Sequence, residues 1–269
     1  MEPKIHVVGR TEFDEGAFLA FLNDEHLDWR RTSDASSQEE LVEVAGRVCY
    51  MSFGRAQSNR SNREYLQNLV ESGHESVLEH VTWTFLISNI SRAFTHQIVR
   101  HRVGFAYSQL SQQYHDEEDA RFVIPPHLES VPEAMEAWSK AVAATKEGYA
   151  AINRLLRQSE FGSAEDLDRK ELNRAIRSAA RSVLPNATET KIVITANARA
   201  LRHLFEVRGS IPGDIEMRLV VSGLLEIVRH EAPGMFYDFQ VERLSDGSPI
   251  VKKTETGATK LLPSFVRSV

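Results

Sequence analysis

Arg100-His101-Arg102 is followed, after eight intervening residues, by Ser111 in the run Ser108-Gln109-Leu110-Ser111-Gln112-Gln113-Tyr114. The triplet sets two guanidiniums around an imidazole at the end of an apolar helical stretch. A guanidinium donates to phosphate oxygens in pairs and can also lie flat on an aromatic ring, so the cluster suits a phosphorylated, planar ligand. The same residues also describe an ordinary basic helix end, where cations meet the carbonyl pole of the dipole. Two further clusters are rich in donors. Gly73-His74-Glu75-Ser76-Val77-Leu78-Glu79-His80 falls at a helix start, where free N–H groups can receive an anion. Asn197-Ala198-Arg199 runs on to Arg208, and Arg181 stands upstream in Ala180-Arg181-Ser182-Val183-Leu184-Pro185. Many donors with few carboxylates suit a ligand that carries several phosphates.

Other chemistries find less support. His74 and His80 are six apart and His96 and His101 five apart, so neither pair shares a helical face as zinc-helix histidines do, and no metal site is expected. No Gly-x-Ser-x-Gly elbow, P-loop or Gly-x-Gly-x-x-Gly fingerprint occurs, so a nucleotide-like ligand must be held by side chains and helix ends. Cys49 is the one cysteine; in the apolar helical context Val48-Cys49-Tyr50 it reads as a buried structural thiol. The net charge of -6 argues against a broad nucleic-acid surface. No apolar run reaches the ~20 residues that span a bilayer and the N-terminus lacks a signal core, so a cytoplasmic protein without membrane partners is expected.

The elements that must position these residues can be read from periodicity and caps. Lys4 to Val8 reads as a strand and Phe13 to Leu27 as a helix. Ser37-Gln38-Glu39-Glu40 and Ser61-Asn62-Arg63-Glu64 form capping boxes, the second opening a helix that should stop at Gly73. Between those helices, 52–62 is polar and reads as a mobile loop. Ser76 to Glu79 forms a third box, ahead of a strand at Val81 to Ile87. Ser91 should cap a helix running to about His101, with Gln97, Arg100 and His101 on one face and Ala93, Phe94 and Ile98 toward the core. Residues 103–131 show no periodicity and read as a long loop. Helices are expected over Pro132 to Gln158 and Ser163 to Val183, then a strand at Thr190 to Thr195. Helices at Ala198 to Val207 and Asp214 to Glu231 should come next, before a polar tail from Ser245 broken by Gly247, Pro249 and Gly257. With no repeat and no linker, one α+β domain over 1–269 is expected.

In the order and identity of these clusters the chain resembles the flavin-dependent thymidylate synthases, a family marked by Arg-His-Arg, seven residues and then Ser. The likeness covers most of the chain: Gly-His-Glu-Ser with Glu79-His80, Gln97 before the triplet, Gln109-Leu110-Ser111, Ala-Arg-x-Val-Leu-Pro, and Asn197-Ala198-Arg199 leading to Arg208. It implies a thymidylate synthase-complementing-protein-like α+β fold, with a central, mostly antiparallel sheet flanked by long helices. The implied assembly is a homotetramer with active sites shared between subunits. By the same resemblance FAD is held by Ser76, Arg100, His101, Arg102, Asn197 and Arg199, with His74, Glu79, Gln109 and His203 beside it. The nucleotide is held by Gln97, Arg100, Gln109, Leu110, Ser111, Gln112, Gln113, Arg181 and Arg208. Arg208 is the implied catalytic group, set against uracil to favour its N3-deprotonated or enolate-like form, since a fixed cation stabilises developing negative charge. The implied reaction is reductive C5 methylation of a uridine monophosphate, dUMP to dTMP, with methylenetetrahydrofolate as carbon donor and NADPH as reductant through FAD. A lone helical thiol accords with it, because the non-flavin class of thymidylate synthases needs a cysteine nucleophile.

Four departures from the family pattern stand near these positions. Eight residues, not seven, separate Arg102 from Ser111, and Phe105 stands where a serine is common. Gln113 replaces an arginine that grips the nucleotide phosphate, and His203 replaces an asparagine near the flavin. An extra residue could make room for a ribose 2′-OH, which fits the polyoxin-pathway branch that methylates UMP as well as dUMP. A UMP-preferring methylase of nucleoside-antibiotic biosynthesis and a flavin- and nucleotide-binding relative without catalysis are the two alternatives.

Overall fold

Side-chain alternation is strict over 82–89, with Trp83, Phe85 and Ile87 fully buried and Thr82, Thr84 and Leu86 half-buried, and the stretch 82–91 forms the second strand of the central sheet. The computed structural model describes residues 2–163 and 168–254. Its strands are β1 (Lys4–Arg10), β2 (Thr82–Ser91), β3 (Phe105–Gln109) and β4 (Glu189–Asn197), in the sheet order β1-β2-β4-β3, with a separate antiparallel pair of β5 (Phe239–Arg243) and β6 (Pro249–Lys253). The helices are α1 (Glu15–Asp24), α2 (Ser37–Tyr50), α3 (Asn62–Glu71), α4 (Arg92–Ile98), α5 (Pro132–Gln158), α6 (Arg169–Ala180), α7 (Ala198–Arg208) and α8 (Ile215–Glu231). The fold is thus α+β, with an antiparallel sheet and long helices. No helix among the described residues is long and apolar enough to cross a membrane.

The chain divides into two compact units. The first takes in Met1–His6, Leu86–Arg100 and Tyr107–Ile194, and the second Val7–Phe85, His101–Ala106 and Thr195–Val269. Their boundaries fall inside β1, β2, β3 and β4 and, between α4 and β3, at Arg100/His101, so no linker composition announces them. In the second unit, α8 turns Met217, Val220, Val221, Leu224, Leu225 and Val228 inward at helical spacing, and α7 does the same with Leu201, Leu204 and Phe205. Phe205, Phe236, Phe239 and Trp83 meet edge to face at centroid separations of 5.7–5.9 Å. In the first unit, Tyr149 of α5 is buried and accepts from Glu117 N at 3.1 Å while donating to Asp116 Oδ1 at 3.1 Å.

Several expected boundaries move, each for a physical reason. The helix expected to reach His101 ends at Ile98, because the Tyr107 hydroxyl donates to the Ile98 carbonyl at 2.8 Å and takes the acceptor that residue 102 would need. Arg100, His101 and Arg102 therefore lie beyond α4 and share no helical face with Gln97; Phe94 and Ile98 are buried as expected, but Ala93 is exposed. The stretch 103–131 is not all loop, since β3 occupies Phe105–Gln109. The cap of α2 is Ser36 with Glu39, not Ser37 with Glu40, because Ser37 Oγ accepts from Phe13 N at 2.6 Å and Glu40 pairs with Arg31. Ser76 caps nothing: residues 75–80 form a 3-10 turn without a side-chain cap, whereas Ser61 and Glu64 form the expected box. Cys49 is exposed, at the end of α2 whose buried residues lie between Gln38 and Arg47. In the expected polar tail, Asp246-Gly247 turns the β5–β6 hairpin, with Gly247 at φ +79°. Helix α6 starts at Arg169; 164–167 and the breaker Gly257 lie outside the described residues.

Two interactions in the second unit fix the start of α7 and its buried face. Gly104, at φ +74°, is the third residue of a turn closed by Phe105 N donating to Arg102 O at 3.3 Å. A Cβ there would sit 2.7 Å from both Asn197 Nδ2 and Ala200 Cβ. Arg202, 2% exposed, donates through Nη1 and Nη2 to both carboxylate oxygens of buried Asp238 at 2.7 Å each. Burial opposes its charge, but the hydrogen bonds and charge of Asp238 outweigh that and raise its pKa.

Gly104→Ala is expected to destabilise the protein by about 1–3 kcal/mol, from left-handed strain plus overpacking, in chemical denaturation. Arg202→Met strands the Asp238 carboxylate and should cost about 3–5 kcal/mol in the same measurement. Adding Asp238→Leu to it should recover part of that loss.

Candidate functional site

Helix α7 positions one group of candidates. Its N-cap Asn197 accepts from Ala200 N through Oδ1 at 2.8 Å, and the Asn197 N–H donates to Gly104 O at 3.1 Å. From that start, Arg199, Arg202, His203 and Glu206 recur at helical spacing and line one side of a cavity of about 430 Å³. Val103, Gly104, Glu75 and Glu79 line it as well. Its size lies within the roughly 300–1,000 Å³ of small-molecule sites.

Charges within this cavity are largely paired. Arg199 Nη1 donates to Glu79 Oε1 at 2.6 Å, joining two residues expected to hold the cofactor, and Arg202 Nε donates to Glu75 Oε1 at 3.3 Å. His74 and Ser76 lie exposed on the 3-10 turn and are not among the lining residues. The donor set of Asn197, Arg199 and His203 fits a flavin nucleotide. Gly104 lacks the Cβ that would cover Asn197 Nδ2.

Below the cavity-lining face, Arg208 at the end of α7 donates through Nε to His101 Nε2 at 3.0 Å. The rings of His101 and Phe105 lie 5.9 Å apart, and those of His101 and His203 6.2 Å apart. Burial, then the charge of Arg208, then His203 push the His101 pKa below its ordinary value. A neutral ring that accepts at Nε2 carries its proton on Nδ1. The expected catalytic residue and an expected flavin-binding residue are thus hydrogen-bonded partners. Arg102, next in the chain, is exposed.

The remaining candidates belong to the first unit. Gln112 and Arg181 line a second cavity, of about 440 Å³, together with Arg92, His96, Ser178 and Ser182. Gln113 Nε2 donates to Ser178 Oγ at 3.4 Å, and Ser111 Oγ accepts from Gln113 N at 3.4 Å. Gln109 Nε2 donates to Thr95 Oγ1 at 3.1 Å, and Leu110 N to Lys191 O at 2.9 Å, so both are anchored by the flanking elements. Gln97 is half-buried and Arg100 exposed, and neither lines this cavity.

Of the eight residues between Arg102 and Ser111, Val103 and Gly104 line the cavity of Asn197, Arg199 and His203, and Phe105–Gln109 form β3. Sequence reading missed Glu75, Arg202 and Glu206 in one cavity and Arg92, His96, Ser178 and Ser182 in the other. The spacing of Arg199, Arg202, His203 and Glu206 was a usable signal, while only folding brings Arg92 near Arg181. Among the described residues no group of three or more His, Cys, Asp or Glu side chains is placed to hold a metal.

Comparison with known proteins gives the lineage. The profile of the family described as Thymidylate synthase complementing protein (Thy1) matches residues 32–234. Proteins named flavin-dependent thymidylate synthase from Mycobacterium marinum and Mycobacteroides abscessus are 40% and 41% identical to this chain over 248 residues, covering 92% of it and 94% of each relative. With three quarters of its length matched by the profile and relatives at about 40% identity over nearly all of it, the chain belongs to the flavin-dependent thymidylate synthase family.

Proposed function

We propose that this chain catalyses the reductive C5 methylation of dUMP to dTMP, with FAD as cofactor, methylenetetrahydrofolate as carbon donor and NADPH as reductant. The observation that carries the reading is the Arg208–His101 pair. A neutral imidazole fixes the guanidinium through Nε without cancelling its charge. Among the described residues no carboxylate lies within salt-bridge distance of Arg208, so its remaining N–H groups can meet a uracil ring as negative charge develops there. FAD would supply the hydride chemistry of the reaction. Asn197, Arg199, His203 and Glu79, with Ser76, His74 and the Arg-His-Arg triplet beside them, are the residues assigned to hold it. Ser111, Gln112, Arg181, Gln109, Leu110, Gln113 and Gln97 are assigned to the nucleotide.

The reading includes a homotetramer with shared active sites. Support comes from α5, where among the described residues only Tyr149 and Asn153 are buried along 27 residues while Leu155 is exposed. Light scattering should return four times the chain mass.

Purified protein should absorb near 450 nm and convert dUMP to dTMP when supplied with the folate and NADPH; bound flavin with no product would instead favour the binding relative without catalysis. Arg208→Ala should lower kcat by about 10²–10³-fold while bound FAD is retained, and equal loss of both would contradict the assignment. His101→Ala should weaken flavin retention.

Protonation of His101 would remove the acceptor for Arg208 and set two cations together. Activity should therefore fall in acid, through a group titrating below the ordinary histidine value of about 6.5. In Arg208→Ala, NMR should show the His101 midpoint rising toward that value. The unfolded chain binds this proton at higher pH than the folded one, so the group's contribution to stability rises with pH between the depressed and ordinary values.

A further inference from the structure

Replacement of the family arginine by Gln113 removes a cation from the expected phosphate site. The Gln113 side chain is committed to Ser178 Oγ and does not line the first unit's cavity. Arg92 does line it. Its backbone is fixed there, with Arg92 N donating to Thr188 O and Ala93 N to Asn186 O, both at 3.0 Å. Among the described residues neither Arg92 nor Arg181 has a carboxylate within salt-bridge distance. The charge of Glu117, 4% exposed, favours the Arg92 cation, while burial raises the pKa of Glu117 itself. Arg92 is disfavoured first by burial and then by the positive charge of Arg181. Two guanidiniums that repel one another in a half-buried cavity create a demand for an anion between them.

A second feature points the same way. Gln112, 5% exposed, lines this cavity; its buried Nε2 meets no acceptor at full hydrogen-bond geometry, and its side chain bears on the Glu117 carboxylate, lowering that group's pKa. A buried amide donor held short of full hydrogen-bond geometry gains from a ligand oxygen placed in the cavity.

We propose that Arg92 binds the phosphate of the nucleotide substrate together with Arg181 and the Gln112 amide, supplying the cation that Gln113 does not. The assignment rests on the nucleotide reading above. Arg92 reaches the cavity from the first turn of α4, whereas residue 113 comes after β3, so the charge is delivered from a different element of the same unit. The cavity thereby keeps two guanidiniums for one phosphate, each able to donate in pairs.

The test is calorimetric titration of the flavin-loaded full chain with dUMP, deoxyuridine and inorganic phosphate. Arg92→Gln should weaken dUMP binding by about 10–100-fold, leave deoxyuridine within about twofold, and abolish binding of inorganic phosphate. Adding Gln113→Arg to Arg92→Gln should recover about tenfold of the dUMP affinity. Arg92→Lys, which keeps the charge without the fork, should lose less than Arg92→Gln and covers the case in which the latter folds poorly. Unchanged dUMP affinity in Arg92→Gln, or equal losses for dUMP and deoxyuridine, would overturn the proposal. Should wild-type protein bind no dUMP, the substrate reading fails by itself. Inorganic phosphate then still decides the anion site: lost in Arg92→Gln it stands, equal in both proteins it falls.

Discussion

The hydrogen bond from the Asn197 N–H to the Gly104 carbonyl, 3.1 Å long, is the contact on which the second unit's site depends. Asn197 ends β4 and opens α7, and its side chain is spent capping that helix. Its backbone therefore supplies the tie to the turn after the Arg-His-Arg triplet. That turn needs a left-handed residue without a Cβ, which only glycine offers at so close an approach. With the turn held there, His101 reaches Arg208 at the other end of α7, and Arg199, Arg202, His203 and Glu206 face one cavity.

Charge is handled differently in the two units. In the second, Arg202 is tied to Asp238 and Glu75, and Arg199 to Glu79, so these guanidiniums shape the cavity while their charge is balanced. Arg208 is the exception, because its partner is an imidazole kept neutral by burial and by Arg208 itself. A neutral partner orients a cation without discharging it, which suits a group meant to face developing negative charge. In the first unit, Arg92 and Arg181 lack such balance, and a phosphate-bearing ligand would be their missing counter-charge.

Much of the fold was legible in the order of residues. The bounds of α5 are set by Pro132 and its periodicity, the start of α3 by the Ser61–Glu64 box, and the strands β2 and β4 by β-branched and aromatic alternation. These are local signals, each set by interactions within a few residues of chain. The donor clusters at 73–80, 100–113, 181 and 197–208 were likewise visible, since chemistry-bearing residue types are written directly in the sequence.

What folding alone decided are the outcomes of competition between distant groups. Tyr107 takes the Ile98 carbonyl and ends α4 before Arg100; Phe13 and Arg31 claim Ser37 and Glu40 and shift the cap of α2 to Ser36. The end of α2 turns outward and exposes Cys49. The Val103-Gly104 turn is brought to the cavity of Asn197 and His203, and packing sets Arg92 beside Arg181. The sequence by itself determined which donor groups this protein has. Which of them share a cavity was decided by the tertiary structure, because hydrogen-bond partners and burial are chosen across tens of residues that no local pattern records.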